Sequence, residues 1–138
     1  MRKILITVLA LLVLLPSMRV NAADYPEYRP DAPVPERPHL TKSGGVFAGP
    51  SGKETWYDLP MGRVIQNMRE LGYDEFDYPF YVREDGAKCI GEYVLVAMNT
   101  YQYPKGTIVE TSLGQGIVAD HCVRAESEKV IDVATDWN

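Results

Sequence analysis

The 138-residue chain is poor in the side chains that most often carry chemistry: it has two cysteines, two histidines and two tryptophans. A structural zinc site needs four ligands at regular spacing, and Cys89, Cys122 and the neighbouring His121 do not supply them, so no metal is expected. No glycine-rich loop of the P-loop or dinucleotide type is present, and no cofactor is expected. Ser51 and Ser112 have no evident His or Asp partners for a nucleophilic triad, and His39 lies among prolines. Basic residues are also short, 14 against 19 acidic, a net charge of −5. Neutralising phosphates takes a Lys/Arg surface, so nucleic acid is excluded as a partner. No apolar run exceeds the twelve residues Ile4–Leu15, too few to span a bilayer comfortably.

That run has a different use. Arg2 and Lys3 precede it, and Val20-Asn21-Ala22 puts small residues at −3 and −1 of a cleavage site. The pattern predicts a signal peptide over 1–22, export, and no stable membrane insertion after cleavage. No cysteine follows the apolar run to make a lipoprotein. Cleavage removes Arg2, Lys3 and Arg19 from the 14 basic residues, leaving 11 against 19 acidic, a net charge of −8. Such a protein is repelled by anionic wall polymers, so contact with a wall has to be local. Residues 23–51 read as a linker, because half of the ten prolines fall between Pro26 and Pro38 among charges. Proline favours extended conformers, and so few apolar side chains cannot offset the entropy of ordering. The domain is taken to start near Gly52.

In an exported protein Cys89 and Cys122 have two readings. They form a disulfide closing a loop of about 33 residues, worth about 3–4 kcal/mol in the chain-entropy model, or they are two buried thiols. The disulfide is the favoured expectation.

Strand signals dominate the domain. Lys53–Tyr57 alternates, with Thr55 and Tyr57 on one side and Glu54 and Trp56 on the other. Tyr93–Met98, Thr107–Val109, Gly116–Ala119 and Val130–Ala134 are short runs rich in Val, Ile and Tyr, bounded by turn formers. Tyr93–Met98 is unbroken, which predicts cover on both faces and favours a closed barrel. One helix stands out. Met61, Val64, Ile65, Met68 and Leu71 form an apolar stripe, Asp58 suits the N-cap, Pro60 the first turn and Gly72 the stop. Tyr73–Tyr81 is dense in aromatics and acids, and reads either as a sugar-binding rim or as a seal over the barrel end.

The segment VAMN…YPKGTIV…GQGIVAD…VIDVATDW resembles the three-aspartate (3D) domain, a double-psi β-barrel family. The barrel of membrane-bound lytic transglycosylase A belongs to it, and rare lipoprotein A and the expansins are more distant. The match covers about the last third of the chain. Pro104, Gly106 and Thr107 fit the family's P-x-G-T. Asp120 and Asp132 fall at the second and third aspartates, twelve residues apart, while Asn99 stands at the first. His121-Cys122-Val123 replaces the Thr-Gly-Gly that follows the second aspartate. The part preceding it looks like small exported proteins of Gram-positive bacteria and their phages.

The resemblance implies a mainly β fold: a small six-stranded double-psi β-barrel carrying one amphipathic helix. It implies a monomeric, cell-wall-associated protein acting on peptidoglycan or a related polysaccharide, in the manner of a lytic transglycosylase. Asp120 is then the general acid/base and Asp132 the like-charged neighbour that helps it hold a proton. Asn99 positions substrate, and Trp56, Tyr101 and Tyr103 are candidate sugar platforms. A non-catalytic, expansin-like wall binder and a structural secreted protein are the alternatives. An Asp at a strand end also caps turns without any chemistry.

Overall fold

The computed structural model describes residues 37–138. The expected signal peptide and most of the linker lie outside the described residues. The chain forms β1 (Val46–Gly49), β2 (Gly52–Tyr57), α1 (Gly62–Glu70), β3 (Phe80–Val82), β4 (Lys88–Ile90), β5 (Tyr93–Met98), β6 (Ile108–Thr111), β7 (Gly114–His121), a 3-10 turn over Val123–Glu126, and β8 (Val130–Ala134).

All eight strands belong to one mixed sheet. Its centre is β5, which runs parallel to β7 on one side and antiparallel to β8 on the other. β8 continues parallel to β2, and β2 pairs antiparallel with β1. The start of β5 pairs with β4, which carries β3, and β7 carries β6. β1, β3 and β6 each pair with one strand, so the sheet is open. The fold is mainly β, as expected. The closed barrel of six strands is corrected to an open sheet of eight.

The reason lies in β5. Its residues from Val94 to Met98 are all buried, as an unbroken apolar run requires, and the two faces are covered differently. On one face Val94, Val96 and Met98 pack with Leu40, Cys89, Leu113, Ile131 and Val133. On the other, Leu95 packs with Ile117 and with Met61, Val64 and Met68 of the helical segment. Ala97 packs on that same face with Cys122, Ala125 and Val130, under the 3-10 turn. Burial on both faces does not require a closed barrel. The sheet also extends ahead of Gly52: β1 pairs with β2, and the fully buried Leu40 belongs to the core.

The expected helix is present, with a different start. Met61 occupies the cap position and makes no side-chain cap bond. Asp58 instead accepts a 2.6 Å hydrogen bond from Lys88 Nζ, a nearly buried ammonium that also donates to the Leu59 carbonyl. The stop at Gly72 follows expectation, since its φ of 101° suits glycine alone. Leu71 falls past the helix end and is exposed.

The expected disulfide is also corrected. Cys89 and Cys122 are free and buried. The sheet stands between them: Cys89 lies in the core on one face, and Cys122, just past β7, lies under the 3-10 turn on the other. Burial is the main reason the Cys89 thiol is pushed up to about 11.

Candidate active site

Register brings the two expected aspartates together. Ala97 of β5 is paired with Asp120 of β7 on one side and with Asp132 of β8 on the other. Asp132 is paired in turn with Thr55 of β2. Side chains of directly paired residues leave a sheet on the same face. Thr55, Asp132, Ala97 and Asp120 therefore form one row across four strands. With strands about 4.8 Å apart, the aspartate Cα atoms lie roughly 10 Å from each other. The methyl group of Ala97 leaves the space between them open.

Asp120 joins this row through an irregularity. Val96 pairs with Val118 and Ala97 with Asp120, so Ala119 is an extra residue in β7. Such a bulge re-aims the side chain that follows it. In a regular ladder Ala97 would face Ala119, and Asp120 would point to the opposite face.

The row opens on a cavity of about 230 Å³ lined by Tyr57, Leu59, Ala97, Asp120, His121, Cys122, Val123, Arg124 and Asp132. The two carboxylates are held differently. Asp132 is nearly buried; its Oδ1 accepts from Thr55 Oγ1 at 2.6 Å, and its Oδ2 lies 3.5 Å from Arg124 Nη2. Asp120 Oδ1 accepts from the backbone N–H of His121 at 2.8 Å. Its second oxygen has no hydrogen-bond partner among the described residues.

His121 takes no part in a relay with Asp120. Its Nδ1 lies 2.9 Å from Thr100 Oγ1 and 3.3 Å from the Thr100 N–H, and its Nε2 lies 2.7 Å from Glu126 Oε1. Beneath the carboxylates, the Tyr57 hydroxyl is buried and has no hydrogen-bond partner among the described residues. Burial first, then the charges of Asp120 and Asp132, push its ionisation above the ordinary phenol range.

The other expected site residues do not line the cavity. Asn99 is nearly buried and its Oδ1 accepts from the Tyr101 N–H at 3.1 Å, which ties down the loop after β5. Tyr101 is 84% exposed and meets the His121 ring edge-on at 5.3 Å, beside the cavity. Trp56 and Tyr103 pack on the opposite face of the sheet, Trp56 against Trp137 and Tyr103 beneath the Lys129 ammonium.

A larger cavity of about 580 Å³ lies under the Tyr73–Tyr81 loop, between Phe76, Tyr78, Gly91 and Glu92. It gathers none of the expected site residues. In that loop Tyr73 and Tyr78 meet edge-on and pack against the core, while Phe76 is 93% exposed. Among the described residues no group of three or more His, Cys, Asp or Glu side chains is placed to hold a metal ion.

No family model, curated protein or solved structure matches this chain.

The site therefore rests on its own geometry. Sequence reading missed Tyr57, Thr55 and Arg124 as site residues. The alternation in Lys53–Tyr57 already put Thr55 and Tyr57 on one face, and pairing of β2 with β8 would have placed them beside Asp132. Nothing in the sequence marks the Ala119 bulge or the reach of Arg124.

Proposed function

We propose that this is an exported cell-wall protein whose Asp120–Asp132 cavity cleaves the glycan strands of peptidoglycan in the manner of a lytic transglycosylase. The observation that carries this reading is the pairing of both aspartates with Ala97, which sets two carboxylates over one cavity. A single working carboxyl group is enough for that reaction. It protonates the leaving glycosidic oxygen, then takes the proton of the muramic acid C6 hydroxyl as the 1,6-anhydro ring closes. Asp120 suits the role because one of its oxygens is uncommitted. Asp132, tied to Thr55 and facing Arg124, is the fixed neighbour.

The same reading relates the sheet to a double-psi barrel. Two parallel pairs, β2 with β8 and β5 with β7, meet through the antiparallel β5–β8 contact, a pseudo-twofold pattern that supports the relationship. Pro26, Pro30, Pro33 and Pro35 then belong to a spacer between the export machinery or wall and the sheet.

The test is incubation of the chain without residues 1–22 with purified peptidoglycan, beside Asp120→Asn, followed by mass spectrometry of the soluble products. Anhydro-muropeptides from the wild type alone are expected. If neither protein releases products across pH 4–8, the catalytic reading is lost. A wall-binding role without catalysis is the second reading. The use of Asn99 Oδ1 on the Tyr101 amide favours it, since the first aspartate position then carries no carboxyl group and its oxygen holds the loop. On that reading both proteins pellet with insoluble wall and neither cleaves it.

A further inference from the structure

Among the described residues Arg124 is the one Lys or Arg on the cavity wall, and it is poorly used. Its Nη2 lies 3.4 Å from Thr55 Oγ1 and 3.5 Å from Asp132 Oδ2, both long contacts. Asp132 already has a short bond from Thr55, and the Arg124 side chain remains 64% exposed. A guanidinium offers five N–H donors in a planar fork that matches a carboxylate. Here Nε and Nη1 have no partner among the described residues. The 3-10 turn sets this fork at the cavity mouth, beside Val123 and Leu59, which are 74% and 58% exposed. The wall therefore combines a cationic fork with two uncommitted nitrogens, apolar side chains, and the carboxylates of Asp120 and Asp132. A sugar ring offers matching parts: hydroxyls for Asp120 and Asp132, and an apolar ring face for Leu59 and Val123. What remains for Arg124 is an anion on that ring. The cavity, at about 230 Å³, is smaller than the roughly 300–1,000 Å³ that encloses a drug-sized ligand, so it suits one ring at a time.

Resting on the glycan reading above, we infer that Arg124 is a specificity residue: the cavity takes a saccharide ring that carries a free carboxylate, which Arg124 binds through its fork. Two sources share this chemistry, the lactyl carboxylate of muramic acid freed from its peptide and the ring carboxylate of a uronic acid. The protein as a whole is acidic and repels anions, so a preference for one has to come from this local cation.

The experiment measures equilibrium binding of the intact protein, at physiological salt, to three probes. These are a neutral N-acetylglucosamine oligomer, glycan strands stripped of peptide so that their lactyl carboxylates are free, and an oligouronate. Wild type is expected to bind one acidic probe about tenfold or more tighter than the neutral one, and which acidic probe wins identifies the source. Arg124→Gln should bring the acidic-over-neutral affinity ratio down to about one. Arg124→Lys keeps the charge without the fork and should restore only part of it. If Arg124→Gln weakens neutral and acidic probes alike, Arg124 merely holds Asp132 and the inference is overturned. If wild type binds neutral and acidic probes equally, the inference fails and the glycan reading stands. If wild type binds none of the three, both fail.

Discussion

Tyr57 carries a hydroxyl that the fold covers without giving it a partner among the described residues. Burying a polar group unpaired costs about 1–3 kcal/mol, while the ring itself packs against both apolar clusters on its face. Tyr57→Phe keeps the ring and removes the oxygen, so the variant should be about 1 kcal/mol more stable in urea denaturation at pH 7. The same group sets an alkaline limit. Its folded ionisation lies above the unfolded value of about 10, so the native state holds the proton longer. That contribution is complete below pH 10 and is lost as pH rises past it. The stability of Tyr57→Phe should therefore fall less steeply above pH 10 than that of the wild type, Cys89 contributing equally to both. A destabilised Tyr57→Phe would mean that the hydroxyl has a partner after all. At this scale the sequence exposes the two aspartates, because acidic residues ending apolar runs are visible locally. It hides Tyr57 and Arg124, whose place in the site depends on which strands become neighbours. It also leaves the two cysteines ambiguous, because composition does not show that a sheet separates them.

Elements were legible where their burial follows one period. Tyr93–Met98, Val130–Ala134 and the helical stripe from Met61 to Met68 fall where the apolar spacing puts them, and Leu71 does not. The expected Asp58 cap failed for a nonlocal reason: Lys88, thirty residues away, claims that carboxylate. The turn between β3 and β4 shows how such ties lock elements together. Arg83 donates to Asp85 at 2.6 and 2.8 Å and reaches the Leu113 carbonyl in the turn between β6 and β7 at 2.7 Å. Trp137 closes the group by donating to the Asp85 carbonyl. Burial drives the Asp85 carboxyl upward, but the Arg83 hydrogen bonds and charge outweigh it, so the group sits below its ordinary value. A lowered carboxyl contributes stability that is full above about pH 4 and is lost as pH falls through the folded value. Asp85→Asn should cost about 2 kcal/mol at pH 7, the scale of hydrogen bonds to a charged group. The gap to the wild type should narrow steadily in urea titrations between pH 5 and pH 2. A gap that stays constant with pH would assign the loss to the turn's shape and not to the ion pair.

For the whole molecule, the boundary of the folded unit was the hardest feature to read. Val46–Ala48 is a short apolar run between Ser43-Gly44-Gly45 and Gly49-Pro50-Ser51-Gly52, a composition that reads as linker. In the structure it is the edge strand β1, and its value comes from what it covers. Leu40 is fully buried, and its N–H donates to Ser112 Oγ at 2.9 Å. Ser112 holds the carboxylate of Glu54 through its N–H and its hydroxyl, and Glu54 is fully buried although no cation faces it among the described residues. Gly49 lies against that carboxylate so closely that a Cβ there would overlap it. The segment from 37 to 51 thus supplies a core side chain and covers the Glu54 carboxyl group on the far side of the sheet from the cavity. Burying one Leu contributes about 1.5–3 kcal/mol, before the β1–β2 ladder is counted. A chain starting at residue 37 should unfold in one cooperative urea transition, and a chain starting at residue 52 should be at least about 3 kcal/mol less stable or fail to fold. Equal midpoints and slopes for the two chains would return the boundary to Gly52 and reduce β1 to an ornament of the sheet. The cavity lies on the opposite face, so a shortened chain that still folds should keep whatever saccharide binding the longer chain has. Loss of binding without loss of folding would mean that the two faces communicate through β2, whose Glu54 and Thr55 point to opposite sides.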